Sequence, residues 1–313
     1  MKKFLLPADD SIHSIHALQY MLMMSSVMQD FIYMLFYVQP IISDYLKEEA
    51  KKDRKASEKL RQLDENYAAL GNNILNRHKK WLMRFNVPEE KIAIMTQRRK
   101  EGVARDIIHQ AYSELADAIT IGRRGFSKFQ DTFIGSTTKN VIEHTADIPV
   151  WVVDGEIISK EILLAVDGST DSFKALEYLC DILRHDPDLT LTLFHVQPSL
   201  RDCCEIEFAA TQSPEDEELV SSIIEKADRH CIENFMDHAL RKLKEKKIYG
   251  DRLKLKAQPT KFNIGKTIVE EFRNGNYGTL VVGKRGVDKR FFMGSVSHYL
   301  VSHLENGALW IVP

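Results

Sequence analysis

The sequence FLLPADDSIHSIHALQY, residues 4–20, is repeated 158 positions later as ILLAVDGSTDSFKALEY, residues 162–178. Both stretches open with apolar residues, pass through an acidic residue and a polar turn, and continue with the apolar spacing of a helix. A strand that leads through such a turn into a helix is typical of α/β domains. The chain therefore starts the same kind of domain twice.

The repeat continues to the end of the sequence. Repeated blocks this far apart indicate whole domains, because solenoid units span only roughly 20 to 50 residues. The dipeptide Asp154-Gly155 interrupts regular structure between the copies, so we predict domains over residues 1–157 and 158–313. The further matching blocks are residues 36–40 with 194–198, 118–125 with 279–286, and 149–153 with 308–312.

Within each copy, short apolar runs of the strand type alternate with helical patterns. Five strands separated by helices predict an α/β fold with a parallel, doubly wound sheet flanked by helices. Right-handed crossovers place the carboxyl ends of the strands along one edge, where such sheets bind ligands. The predicted strands are residues 3–8, 31–38, 91–96, 117–121 and 149–153, then 161–166, 190–196, 252–257, 278–282 and 308–312.

Two charged segments, residues 44–87 and 199–250, lie between the second and third strands of the copies. In the first, apolar residues recur at roughly helical spacing among many Lys and Glu. This pattern predicts a helix that packs on the sheet by one face. A groove for a protein partner is the alternative.

Composition narrows the classes of partner. The 313 residues include 43 Lys and Arg against 45 Asp and Glu, so the formal charge of −2 predicts neither nucleic acid nor a membrane surface as partner. The apolar stretch 17–42 is long enough for a membrane span, but its counterpart, residues 175–198, carries several charges and cannot cross a bilayer. Four cysteines, without zinc-site spacing or disulfide density, fit a cytoplasmic protein.

The loop after the fourth strand of the first copy carries the most informative motif. Glycines allow close approach of the backbone to a phosphate, and the amides at a helix N-terminus attract an anion. Hydroxyl groups add donors, and Arg123 adds positive charge, so the loop predicts a phosphate cradle. The motif runs Gly122-Arg-Arg-Gly125, then nine residues, then Gly135-Ser136-Thr137.

This pattern resembles the G-x2-G-x9-G-[S/T] signature of ATP-binding universal stress proteins. Gly122, Gly125, Gly135 and Ser136 match the signature position by position. The resemblance covers nearly the whole chain as two copies of the domain. It implies ATP, bound with Mg²⁺, as the ligand, and a strand order of 3-2-1-4-5 in each sheet.

The resemblance also assigns the nucleoside end of the site. In the family, an acidic residue at the end of the first strand contacts the nucleoside, and backbone after the second strand meets the adenine. These roles fall on Asp9 and Val38, with Pro7 beside them. A carboxylate at that edge accepts hydrogen bonds from ribose hydroxyls.

The turn after the first strand admits a second interpretation. Asp9 or Asp10 could cap the following helix, although Ser11 and Ser14 suit that position as well. Asp10 also stands where the second copy has Gly168. Because a further negative charge near phosphates is unfavourable unless Mg²⁺ intervenes, we expect Asp10 to lower the affinity.

The second copy carries a shortened motif loop. Seven residues, rather than nine, separate Gly286 from Gly294, so we expect this loop to take another path. The second copy is then either a second nucleotide site or a purely structural domain. Its candidate site residues are Asp167, Val196, Gly283, Gly286, Gly294 and Ser295.

Three functions are compatible with these patterns. The first is a stress-response regulator whose ATP state changes its contacts with protein partners. The second is an enzyme, either a slow ATPase or a relative of the adenylating enzymes, since residues 167–172 faintly resemble the loop of pyrophosphate-cleaving ATP enzymes. The third is an interaction protein that has lost nucleotide binding. We expect no enzymatic main role and no metal site, because neither a nucleophile motif nor a metal-ligand spacing is present.

The fifth strands, residues 149–153 and 308–312, are short, apolar and contain tryptophan. In the strand order of the family, the fifth strand lies at an open edge whose backbone groups need a partner. We expect the two strands to pair within one chain as an intramolecular pseudo-dimer, like the dimers of single-domain relatives. A further homodimer is possible, and an edge covered only by its own helices is the alternative.

Overall fold

A computed structural model describes residues 1–124, 134–183, 188–199, 202, 214–260, 263–285 and 293–313. Strands and helices alternate along both copies, so the predicted α/β fold is confirmed. The strands are β1 (Lys2–Pro7), β2 (Phe31–Gln39), β3 (Ile92–Arg98), β4 (Ala118–Gly122), β5 (Val150–Asp154), β6 (Glu161–Val166), β7 (Leu191–Gln197), β8 (Leu253–Pro259), β9 (Tyr277–Gly283) and β10 (Gly307–Val312). The ends of these strands differ from the predicted ones by at most two residues.

Helices follow most of the strands. Residues 44–87 form two of them, as their helical spacing predicts, and the long helix of the second copy occupies much of 199–250. The helices are α1 (Ile12–Met24), α2 (Asp44–Ala50), α3 (Arg54–Arg84), α4 (Val103–Ser113), α5 (Ser136–His144), α6 (Thr170–Ile182), α7 (Pro214–Glu245), α8 (Ile264–Asn274) and α9 (Ser295–His303).

Each copy arranges its strands in the order 3-2-1-4-5, as predicted. The order is β3-β2-β1-β4-β5 in the first copy and β8-β7-β6-β9-β10 in the second. β1 pairs in parallel with both β2 and β4, and β6 pairs in parallel with both β7 and β9. The carboxyl ends of the central strands therefore meet at one edge of each sheet.

The inner and outer strands differ in sequence for a physical reason. Phe4, Leu5 and Leu35 of the inner strands are fully buried, which suits apolar runs covered on both faces. At the other extreme, β8 alternates exposed lysines, Lys254 and Lys256, with apolar residues. Lysines on an outer strand oppose pairing with another chain, so this edge is protected.

Contacts between residues divide the chain into two compact units, whose bounds differ slightly from those of the two sequence copies. The first unit is Met1–Leu22 with Asp30–Val150, and the second is Met23–Gln29 with Trp151–Pro313. The loop after α1 therefore belongs to the second unit. There the Gln29 amide donates to the Ile182 carbonyl at 2.9 Å, and Met28 forms an antiparallel bridge with Leu183.

An aromatic cluster lies in the core of the second unit. The rings of Trp151 and Trp310 stack with centroids 3.7 Å apart and planes within 5°, and both side chains are fully buried. Tyr178 of α6 meets each ring edge-on at 6.3 Å. Trp151–Asp154 lie next to β10 in this sheet, which is the pairing predicted for the fifth strands. Each such aromatic pair adds about 0.5–1.5 kcal/mol beyond the burial of its area.

Candidate functional site

A network of polar groups shapes the turn between β1 and α1. Oδ1 of Asp9 accepts hydrogen bonds from the amide of Ser11 at 3.0 Å and from its hydroxyl at 2.5 Å. The Ser11 hydroxyl accepts from the Ser14 amide at 3.2 Å, so Ser11 is the N-cap of α1. The interpretation of Asp9 or Asp10 as the cap is therefore wrong, and Asp9 instead orients the capping serine.

The second copy builds a similar network, in which the hydroxyl that donates to the aspartate comes from the counterpart of Ser14 and not from the capping serine. Oδ1 of Asp167 accepts from the Ser169 amide at 3.0 Å and from the Ser172 hydroxyl at 2.6 Å. The Ser169 hydroxyl accepts from the Ser172 amide at 3.2 Å and caps α6. An aspartate held by a capping serine is thus a shared feature of both copies.

The residue after each aspartate differs between the copies. Gly168 has φ +74°, and a Cβ there would lie 2.9 Å from the carbonyl oxygen of Cys231 on α7. Asp10, by contrast, does not have a positive φ, and its carboxylate forms an ion pair with Arg77 of α3. Because Arg77 offsets the charge of Asp10, the penalty expected for phosphate binding is reduced.

His78 of α3 also reaches this turn, and the sequence analysis missed it. Its side chain is 5% exposed and lies close enough to Asp9 and Asp10 for both to influence its pKa. Burial lowers the pKa of His78 from its usual 6.5, and the charge of Arg77 lowers it further, against the opposing influence of Asp9 and Asp10. The sequence does contain a signal for this residue. His78 follows the buried Ile74 by one helical turn, so it lies on a face of α3 that is otherwise apolar.

The ends of β1 and β2 bring the predicted nucleoside residues to one edge. Pro7 ends β1 in register with β2, and Val38 is half-buried near the end of β2. Tyr37 lies beside them, and burial, then the neighbouring Asp9 and Tyr67, raise its pKa. The structure therefore adds an aromatic side chain that the sequence analysis did not assign to the site.

The second copy has His195 at the position of Tyr37. Its Nδ1 lies 2.9 Å from the carbonyl oxygen of Val166, and its Nε2 lies 2.9 Å from Oδ2 of Asp228 on α7. His195 is buried, as is the predicted site residue Val196 beside it. These contacts tie the ends of β6 and β7 to the long helix.

Gly122 ends β4 and packs against α1. A Cβ at this position would lie 2.6 Å from the carbonyl oxygen of His13. At the equivalent Gly283, a Cβ would lie 2.8 Å from the carbonyl carbon of Asp171. Both glycines are needed for the close approach of helix and strand, whereas their contact with a phosphate stays a prediction.

The motif loop of the first copy starts and ends at adjacent backbone groups. The Gly135 amide donates to the Arg123 carbonyl at 2.9 Å, and the Thr138 hydroxyl donates to the Gly122 carbonyl at 2.8 Å. Arg123 is only 1% exposed, so it does not extend into solvent as loop arginines often do. Gly125 lies outside the described residues.

The shortened loop of the second copy has the same two ends. The Gly294 amide donates to the Lys284 carbonyl at 3.0 Å, and the Ser297 hydroxyl donates to the Gly283 carbonyl at 2.9 Å. Lys284 is 6% exposed and thus replaces Arg123 as the buried cation. The two loops therefore share their ends, whereas the part expected to take another path, with Gly286, lies outside the described residues.

Each loop leads into the start of a helix. Gly135 is the N-cap of α5, and Gly294 is the N-cap of α9, each without a side-chain capping bond. Ser136 and Thr137 occupy the first turn of α5, and Ser295 begins α9. Because a helix lacks intrahelical partners for its first amides, these turns favour an anion.

Two features, a cluster of metal ligands and a membrane-spanning helix, are absent from the part of the chain that the structure describes. No group of three or more His, Cys, Asp or Glu is placed to hold a metal ion there. No helix in the same ranges is both long and apolar enough to cross a membrane.

Comparison with known proteins places this geometry in a family. The model of the Universal stress protein family matches residues 1–154 and 159–311. No curated protein matches the chain.

Solved structures of similar length share the fold. A universal stress protein from Archaeoglobus fulgidus has 17% identity and a TM-score of 0.62, with 99% of this chain and 97% of that chain covered. A functionally unknown protein from Pseudomonas aeruginosa PAO1 has 13% identity and a TM-score of 0.58, with coverages of 100% and 92%. A putative universal stress protein from Pseudomonas aeruginosa UCBPP-PA14 has 13% identity and a TM-score of 0.57, with coverages of 100% and 93%.

Proposed function

The chain belongs to the universal stress protein family, and from that premise we propose that it is a cytoplasmic ATP-binding regulator of the stress response. Its first domain binds Mg-ATP, and the bound state changes the contacts of the chain with protein partners. The observation that carries the proposal is the contact between the two described ends of the motif loop. The Gly135 amide and the Arg123 carbonyl, 2.9 Å apart, bring the start of α5 beside the end of β4.

Charge and donors at this edge suit a nucleoside triphosphate. The phosphates meet the first turn of α5, whose amides and the hydroxyls of Ser136 and Thr137 donate to anions. Buried Arg123 adds a positive charge next to the loop. A cation held inside the protein interacts more strongly with phosphate than an exposed one, because water screens it less.

The nucleoside end rests on the turn after β1. Oδ1 of Asp9 accepts both hydrogen bonds from Ser11, and neither of these bonds uses Oδ2. Oδ2 is thus the acceptor that we assign to the ribose hydroxyls. The backbone of Val38, with Pro7 beside it, contacts the adenine in this proposal.

The second domain has the parts for a weaker version of the same site. Asp167 accepts hydrogen bonds from the serines of its own turn, as Asp9 does from Ser11, and Lys284 takes the place of Arg123. The loop between the shared ends is two residues shorter. We therefore propose that any binding by the second domain is weaker than binding by the first.

Valine at Gly135 is expected to weaken Mg-ATP binding to the first domain at least about tenfold, or roughly 1.4 kcal/mol. Gly135 has φ −63°, a conformation open to any residue, so the added side chain obstructs the ligand rather than the backbone. Gly125→Val is predicted to act in the same way. Titration calorimetry measures both affinity and stoichiometry.

The matched control is Gly294→Val in the second domain. It is expected to leave the tighter site intact, and to remove a second, weaker site if one is present in the wild type. Unchanged affinity in both Gly125→Val and Gly135→Val would show that the assigned cradle is wrong.

ATP hydrolysis is expected to be slower than about 1 s⁻¹, below the range of ordinary enzymes. Asp9 is engaged by Ser11, and Asp10 is paired with Arg77, so neither carboxylate is placed as a general base. Steady-state phosphate release measures the turnover, with Gly135→Val as the control for contaminating ATPases. Faster turnover that disappears in this variant would establish an enzyme instead.

A further inference from the structure

The long helices of the two domains are packed along only half of their length. Residues 54–70 of α3 include no buried residue, and the burial of this helix begins at Gly71. In α7, residues 218–234 include none either, and burial begins at Phe235. At 1.5 Å per residue, each of these stretches is about 25 Å long. Each helix therefore has a long surface that the described chain leaves largely uncovered.

Both surfaces carry apolar side chains that are exposed to solvent. On α3, Leu63 and Leu70 are two turns apart on one side of the helix, and α2, which packs on α3, adds Tyr45. On α7, Leu219 and Ile223 are one turn apart and share a face. The exposed fractions of these five side chains range from 37% to 73%. Apolar residues along one face are typical of a helix that packs against another helix.

The charges around these side chains are opposite in the two helices. Residues 51–61 include six basic and two acidic residues, a net charge of +4. Residues 214–225, at the start of α7, include five acidic residues and no basic one, a net charge of −5. Opposite charges steer two surfaces together, whereas like charges oppose the pairing of either helix with its own copy. Each surface thus fits the other better than it fits itself.

The basic residues at the start of α3 do not stabilise the helix itself. Its first turn contains Arg54 and Lys55 and no acidic residue, although the helix dipole favours acidic residues there. Lys59 follows one turn later, and within the described ranges none of these three side chains forms an ion pair. Lys55 and Lys59 lie on the side of the helix that carries Leu63. Positive charge beside an exposed leucine is therefore available to a partner.

We propose that the partner is a second copy of this chain, and that the start of α7 in one copy docks on α2 and the first half of α3 in another. The exposed Leu219 and Ile223 pack on Leu63 and Leu70, and the acidic residues of α7 meet the basic residues of α3. One chain carries both surfaces, so copies of it are sufficient to form the contact. The inference goes beyond the proposed function and does not depend on nucleotide binding.

Sedimentation velocity of the full chain tests this contact. We expect reversible association between about 1 and 200 μM chain at about 50 mM salt. At about 500 mM salt the dissociation constant should rise about tenfold, because salt screens the attraction between exposed charges.

Charge reversals assign the association to the two helices. One variant carries Lys55→Glu with Lys59→Glu, and the other carries Glu218→Lys with Glu225→Lys, all at exposed positions. Each variant alone should associate at least about tenfold more weakly than the wild type, because the attraction between its two surfaces is removed or reduced. An equimolar mixture should associate more tightly than either variant alone. In that mixture the unaltered α3 of the second variant meets the unaltered α7 of the first.

The matched control carries Lys244→Glu with Lys246→Glu, the same change of charge as in the first variant, at exposed positions at the other end of α7. It should associate like the wild type, and thermal unfolding followed by circular dichroism checks that every variant is folded. A wild-type chain that stays monomeric at low salt up to the highest concentration would overturn the inference and leave an acidic helix of another protein as the occupant. Association equal in the wild type and both reversal variants, or a mixture no tighter than its components, would overturn it as well.

Discussion

Replacing Gly122 with valine is expected to lower the free energy of unfolding by on the order of 3 kcal/mol. A single Cβ at this position lies 2.6 Å from the carbonyl oxygen of His13. That oxygen belongs to the backbone of α1, which cannot swing away as a flexible side chain can. Overpacking costs about 1–3 kcal/mol, so a branched side chain against backbone reaches the upper end of this range. Urea unfolding followed by circular dichroism measures the loss.

Gly250→Val serves as the control for this prediction. A Cβ at Gly250 meets no atom within 4 Å, but its φ of +65° strains any other residue. Its cost should therefore be that of backbone strain alone, about 1–2 kcal/mol. If Gly122→Val lost no more stability than Gly250→Val, the packing role assigned to Gly122 would be wrong.

A fragment of residues 1–157 is expected to form dimers or aggregates in place of a stable monomer. The fragment retains Trp151 but lacks Trp310 and Tyr178, whose rings cover it in the full chain. Met23–Gln29 likewise lose their partners in α6 and the residue after it. An uncovered strand edge with apolar side chains pairs readily with another copy. Sedimentation velocity over a range of concentrations measures the association.

The same fragment carrying Trp151→Lys is the matched control. A lysine in place of the indole removes the stacking surface and puts a charge on the strand, so association should fall. A soluble and stable monomer from the unmodified fragment at high concentration would count decisively against pairing of the fifth strands.

The repeat accounts for most of what the sequence predicts correctly. Two independent copies of each pattern locate the ten strands to within two residues, because a chance apolar run is not repeated at nearly the same offset. The same comparison finds Asp9 and Asp167 at equivalent turns. The predicted strand order came from the resemblance to the family, because the alternation of strands and helices alone leaves several strand orders open.

Contacts between distant residues are what the sequence does not reveal. Helical spacing predicts that one face of α3 is buried, but not that His78 on that face lies close to the charges of Asp9 and Asp10. The glycine motif likewise indicates a phosphate loop without showing that Gly122 faces the carbonyl of His13. Both features depend on how one element crosses another, which a pattern of residue types does not specify.

During synthesis on the ribosome, Met23–Gln29 emerge well before the residues that cover them. Ile182 and Leu183 follow about 150 residues later. At about 5–20 residues per second, the delay is roughly 8 to 30 s. For that interval Val27 and Met28, fully buried in the finished protein, face the solvent or a chaperone. The end of the first helix therefore completes its packing only when the second half of the chain has been translated.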